Sequence, residues 1–114
     1  DIVLTVMRFD PSKRAVMNIK YNEDLIKICR SLKFSIGSFD RAMEPKRVRA
    51  LEGSSLEWGT NYAIRECGFV PDVIFDKGGI RKEEMIRVIA EDVEDLVDKI
   101  FKINQRYLIF LRKN

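Results

Sequence analysis

Between Asp72 and Arg87 the chain gathers residue types that handle anions. An apolar run, Val73-Ile74-Phe75, leads into Asp76-Lys77. The pair Gly78-Gly79 follows, then Arg81-Lys82-Glu83 and a second apolar run from Met85. Glycines tolerate positive φ and carry no Cβ, so backbone N–H groups beside them can approach an anion closely. Basic side chains add charge, and carboxylates can hold a divalent cation against phosphate oxygens. The same residues also suit a plain hairpin turn with solubilising charges on its flanks. Both readings stay open on this segment alone.

Three other segments carry comparable chemistry. Arg14, Asn18 and Lys20 share one parity, so an extended chain there presents a cationic, hydrogen-bonding face. The alternative is that Met17 and Ile19 face a core while the polar set meets solvent. Asp40 and Arg41 follow an alternating run, Phe34 to Phe39, at a strand end where open α/β sheets collect ligands; a local ion pair would place them equally well. Glu52-Gly53-Ser54-Ser55 opens a helix, and free N–H groups at a helix start favour anions. Simple capping by Ser54 or Ser55 is the competing reading. Trp58 is either core or a stacking face for a flat ring.

Positioning these residues requires alternating strands and helices. Ile2–Phe9 is β-branched and apolar and reads as a strand; Ala15–Ile19 reads as a second, shorter one. Asn22 caps a helix through Leu32 with apolar residues at 25, 26, 28, 29 and 32. Phe34–Phe39 reads as a strand, and Asp40–Gly53 as a polar loop with a helical turn after Pro45. Ser54 or Ser55 starts a helix that ends at Cys67, with Gly68 as its C-cap. Val70–Phe75 and Met85–Ala90 read as strands. Asp92 opens a last helix with Val93, Leu96, Val97, Ile100, Phe101 and Ile103 on one side. Tyr107–Leu111 reads as a final strand or a partner contact. The sum is an α/β layered fold, one sheet with helices packed over it.

Composition narrows the function classes. The 114 residues suffice for one domain with its own core, and 46% hydrophobic against 34% charged is ordinary for a globular protein. No apolar run approaches the roughly 18 residues of a membrane span. The net charge of +3 comes from 21 basic residues scattered among 18 acids, without the basic stripe of a dedicated nucleic-acid binder. Cys29 and Cys67 lie far apart among apolar residues and read as buried free thiols, which points to an intracellular, cytoplasmic protein. Histidine is absent, which removes the Ser-His-Asp and Cys-His triads and any histidine general base. The chain opens at Asp1 directly on an apolar run, as expected of the C-terminal part of a longer polypeptide.

Five motifs follow in one order and spacing: Arg14 to Tyr21, Ser38 to Arg41, Glu52 to Gly59, Pro71 to Ile74 and Lys82 to Arg87. Together they resemble the archaeal thiamine-phosphate synthase domain (ThiN), which occurs C-terminal to hydroxymethylpyrimidine (phosphate) kinase. The resemblance covers residues 2 to 104. It implies a three-layer α/β/α sandwich around a mixed sheet, class II aldolase-like. It also implies an enzyme that joins hydroxymethylpyrimidine diphosphate to thiazole phosphate and releases diphosphate. Related domains attached to a helix-turn-helix are non-catalytic thiamine phosphate sensors of transcriptional regulators, which touch nucleic acid only through the attached domain.

The resemblance supplies the positions and residue type the roles: Arg41, Lys82 and Glu83 form the catalytic set. Arg14, Asn18, Lys20, Asp40, Ser54, Trp58, Gly78, Gly79 and Arg87 bind the phosphorylated pyrimidine and thiazole, with Phe39 or Trp58 against a flat ring. Asp72 and Asp76 are the Mg²⁺ ligands, with Glu83 a further carboxylate candidate. The resemblance also allows a homodimer. Two departures stand out: Arg81 replaces a glycine and Glu84 a proline in the last loop. Enzyme members often carry a histidine near this loop, and Asp76 is the position that matches it best.

Overall fold

The computed structural model describes residues 2–49, 54–79 and 83–113. In chain order the elements are α1 (Ile2–Phe9), β1 (Ala15–Lys20), α2 (Glu23–Ser31), β2 (Ile36–Ser38), a 3₁₀ turn (Arg41–Met43) and α3 (Lys46–Arg49). They continue with α4 (Ser54–Cys67), β3 (Val73–Asp76), β4 (Met85–Ala90) and α5 (Val93–Lys113). The four strands form one mixed sheet in the order β1-β4-β3-β2. Pairing is antiparallel except between β2 and β3.

Alternate residues of a strand point to opposite faces, and two apolar clusters divide along that rule. Val73, Ile86, Val88 and Ala90 pack with Ile26 and Cys29 of α2 and Leu96 and Ile103 of α5. Ile74 and Ile89 face the other way and meet Val6 of α1 and Ala63 and Ile64 of α4. The fold is therefore α/β, with a four-stranded mixed sheet that buries apolar residues on both faces.

Local signals explain most boundaries. The Asn22 side chain accepts the Asp24 N–H at 2.8 Å and starts α2. Asp92 accepts the Asp95 N–H at 2.8 Å and caps the start of α5, while Asp95 reaches back to accept the Glu91 N–H at 3.0 Å. Gly68 takes φ +82° directly after α4, where a side chain would be strained. The buried Glu44 carboxylate accepts the Ser55 hydroxyl at 2.6 Å and ties the 3₁₀ segment to the start of α4.

Two expectations are corrected. Ile2–Phe9 is a helix and not a strand. Ile2, Thr5, Val6 and Phe9 recur at helical spacing, and Thr5 and Val6 are fully buried. Packing against α4 satisfies that stripe, whereas a short apolar run alone cannot distinguish strand from buried helix. Tyr107–Leu111 is the continuation of α5. Tyr107 and Phe110 pack on the α2 side of the core, and no helix-breaking residue separates them from Ile103.

Candidate anion-binding site

The ends of the strands sort the expected residues into two groups. At one edge of the sheet lie Ser38, Asp76, Met85 and Lys20, brought level by the strand registers. At the opposite edge lie Arg14, which precedes β1, and Asp72, which precedes β3. Asp76 lies four residue steps along the chain from Asp72, roughly 13 Å at 3.3 Å per residue.

Asp72 is engaged where it stands. Its carboxylate accepts the Ser35 N–H at 2.8 Å, the Ser35 hydroxyl at 3.0 Å and the Lys99 ammonium at 3.0 Å. Burial pushes its pKa up, but the Ser35 and Lys99 contacts outweigh burial and hold it below the ordinary carboxylate range. Lys99 also donates to the Ile89 carbonyl at 2.6 Å, so this cluster fastens α5 to the sheet. Arg14 is exposed beside Glu91, whose carbonyl accepts its N–H at 3.3 Å.

Asp76 sits at the centre of the other edge, fully buried. One carboxylate oxygen accepts the Arg41 Nε–H at 3.0 Å and the Gly78 N–H at 2.8 Å; the other accepts from Arg87 Nη1 at 2.6 Å. Gly78 has φ +75°, so this is an Asx turn in which glycine is required. Its N–H is committed to Asp76. Gly79 comes close to Arg41: a Cβ there would stand 3.5 Å from the Arg41 side chain. Both guanidinium carbons lie over the Phe39 ring, at 5.9 Å for Arg41 and 5.8 Å for Arg87. Two guanidinium charges face one carboxylate, which leaves a surplus of positive charge in a largely dehydrated place. Arg87 Nε is buried without a hydrogen-bond partner.

Beside this triad opens a cleft of about 440 Å³ lined by Ser38, Phe39, Asp40, Tyr62, Phe75 and Lys77. Three aromatic rings supply apolar walls; a hydroxyl, a carboxylate and an ammonium supply polar contacts. The Glu66 carboxylate, one turn along α4, pushes the Tyr62 hydroxyl up by hydrogen bonding and charge, so it stays a donor. Trp58 lies behind the cleft, edge-on to Phe39 at 6.3 Å and stacked on Tyr62 at 5.6 Å. Gly59 lets α4 pass the Phe39 ring; a Cβ there would come within 2.3 Å of it.

Of the expected residues, Asn18, Asp40, Arg41, Asp76, Gly78, Gly79 and Arg87 gather on this side, with Lys20 at the same edge. Asn18 stands directly across from Arg87 in the β1–β4 pairing. Glu83 is exposed just before β4. Lys82, Arg81, residues 50–53 and the Ser54 side chain lie outside the described residues. Tyr62 was not singled out by the sequence, and Phe75, Lys77 and Ser38 lay in the quoted segments without an assigned role. Tyr62 does fall one helical turn after Trp58, which is the signal that could have found it.

Asp72 and Asp76 cannot share one cation at this separation, and both are occupied by cationic partners. Among the described residues no three Asp, Glu, Cys or His side chains converge as a metal site. No helix there is long and apolar enough to cross a membrane. Fold and site thus define an α/β domain with a cationic, aromatic-walled cleft at a sheet edge, suited to a flat, anionic ligand.

Comparison with known proteins gives that class its family. The family model described as "Thiamine-phosphate synthase ThiN" matches residues 1–102, and the chain belongs to that family. It is 45% identical over 106 residues to a bifunctional thiamine biosynthesis protein, ThiDN, of Methanocaldococcus jannaschii, which covers 93% of this chain and 24% of that protein. It is 37% identical over 97 residues to a thiamine-phosphate synthase, ThiN, of Methanothermobacter thermautotrophicus, covering 85% and 51%. A crystal structure of the C-terminal domain of phosphomethylpyrimidine kinase superposes with a TM-score of 0.84 at 33% identity, covering 90% of this chain and 58% of that one. The chain therefore spans about a quarter and about half of the two curated relatives.

Proposed function

We propose that this domain binds hydroxymethylpyrimidine diphosphate and thiazole phosphate and couples them to thiamine phosphate, as a cytoplasmic transferase. The observation that supports this most is the buried Arg41–Asp76–Arg87 triad against Phe39, beside a cleft that also carries Lys77. The thiazole ring nitrogen attacks the activated methylene of the pyrimidine. A carbon–nitrogen bond forms, the carbon–oxygen bond to diphosphate breaks, and the electron pair leaves with the diphosphate. No protein nucleophile or general base is needed, consistent with a chain that has no histidine.

What the protein contributes is position and charge. The surplus positive charge of the triad, with Lys77, Lys20 and, as a sequence candidate, Lys82, stabilises the departing diphosphate. Phe39, Tyr62 and Phe75 hold the flat rings, while Ser38, Asn18 and Asp40 orient polar groups. Glu83, exposed just before β4, is a further carboxylate in this reading. Mg²⁺ in this reading enters with the diphosphate, since the described carboxylates do not build a cage for it. The two-sided packing belongs, on this proposal, to the three-layer α/β/α, class II aldolase-like architecture.

The test is formation of thiamine phosphate from the two substrates with Mg²⁺. Arg41→Ala is expected to lower kcat/KM by about a hundredfold, the typical effect of losing one charge-stabilising donor. Absence of both turnover and binding in the unaltered chain would overturn the proposal. A second reading is favoured by Asp76 itself, since the position matched to the family's histidine is tied up by two arginines. The domain would then be a thiamine phosphate sensor. Product binding without turnover is its signature.

A further inference from the structure

The short segment that carries Arg41 is held at both ends. At its start the Phe39 N–H donates to the Phe75 carbonyl at 3.2 Å, and Asp40 accepts the Ala42 N–H at 2.9 Å. At its end the Glu44 N–H donates to the Arg41 carbonyl at 3.2 Å and closes the 3₁₀ turn. The Glu44 side chain is directed inward, where its carboxylate accepts the Ser55 hydroxyl at 2.6 Å. The two residues are only 3% and 7% exposed. Ser55 stands in the first turn of α4, an end of the helix at which negative charge is favoured.

Burying a carboxylate costs free energy that an apolar side chain in the same place would not. What the charge adds is direction, because a short charge-assisted hydrogen bond holds the turn against α4 in one arrangement. The side chain fixed in this way is that of Arg41, whose Nε–H reaches Asp76 at 3.0 Å. Among the described residues neither Glu44 nor Ser55 lines the cleft.

We propose that Glu44, through its bond to Ser55, is a positioning residue for Arg41. It sets where the guanidinium meets a diphosphate group, acting through the backbone from 41 to 44 without touching the ligand. Its bearing on turnover rests on the proposed reaction; its bearing on Arg41 does not.

Binding of inorganic diphosphate, measured by titration calorimetry, reads the placement of Arg41 without any turnover. Ser55→Ala should weaken that binding by about tenfold, short of the roughly hundredfold that a misplacement near 1 Å can bring. Glu44→Gln keeps the volume, loses the charge-assisted bond and should act in the same direction. In an Arg41→Ala background Ser55→Ala should weaken diphosphate no further, since the side chain it positions is gone. A merely structural role would leave the two effects additive. The Arg41 Nε–H resonance of nitrogen-labelled protein, assigned by its loss in Arg41→Lys, should shift in both Ser55→Ala and Glu44→Gln. With both substrates, Ser55→Ala should lower kcat/KM for the pyrimidine diphosphate and leave KM for the thiazole phosphate unchanged. Diphosphate affinity and an Arg41 resonance indifferent to both variants, or additive losses in the Arg41→Ala background, would overturn the proposal. Coupled losses of diphosphate binding in a chain that forms no thiamine phosphate would support it and overturn the proposed reaction instead.

Discussion

One carboxylate held between two guanidinium groups makes Asp76 the residue on which the site depends. Its neighbours Arg41 and Arg87 are nearly as buried as it is. Removing the only described charge that compensates them should cost more than losing two hydrogen bonds. Asp76→Ala is expected to lower unfolding free energy by about 3–5 kcal/mol, measured by urea denaturation. Asp76→Asn keeps the shape and raises the surplus positive charge. Diphosphate should then raise the melting temperature of Asp76→Asn more than that of the unaltered chain, because an anion takes over the missing neutralisation. Equal shifts in both would mark the triad as purely structural. The residue types of this cluster were visible in the sequence, since Asp40-Arg41, Asp76 and Arg87 each attracted attention for charge. Their roles were not, because a carboxylate committed to arginines and one free for a metal look alike before their neighbours are known.

Among the elements, α4 and the strand end it covers define the cleft. Gly59 is the point of closest approach, with the Phe39 ring occupying the place of its Cβ. An alanine there would gain about 1 kcal/mol of helix propensity. Forcing a methyl into the ring costs typically 1–3 kcal/mol, and the Phe39 side chain is buried with little room to yield. Strain therefore prevails, and Gly59→Ala should melt at a lower temperature and bind ligand more weakly. An increase in melting temperature without loss of binding would contradict the close packing. Helices α2, α4 and α5 and strands β1, β3 and β4 were readable from caps and periodicity. Helix α1 was not, since its β-branched residues favour a strand until α4 offers a groove for Ile2, Thr5 and Val6.

For the whole molecule, buried ionisable groups set the pH range of stability. Asp72 has a folded pKa below its unfolded value, near 3.9. Its contribution is present above that pH and is lost as pH falls through the folded value. Cys29 behaves oppositely: burial, then the nearby Asp72 charge, pushes its thiol up to about 11. Stability from the neutral thiol is present below the unfolded value and is lost as pH rises from about 8.5 toward 11. Urea midpoints should fall at both ends, and Asp72→Asn should flatten the acid limb. A flat profile below pH 4 in the unaltered chain would contradict the Lys99–Asp72–Ser35 cluster. The sequence by itself determined the α/β class, the absence of histidine chemistry and the family, because period, composition and ordered motifs are properties of the chain alone. The tertiary structure alone decided which charges meet. Strand register sent Arg14 and Asp72 to one edge of the sheet and Asp76, Arg41 and Arg87 to the other. Within the segment that promised an anion cradle, Asp76 and Gly78 form an Asx turn, with the Asp76 carboxylate clamped by two arginines beside an aromatic cleft.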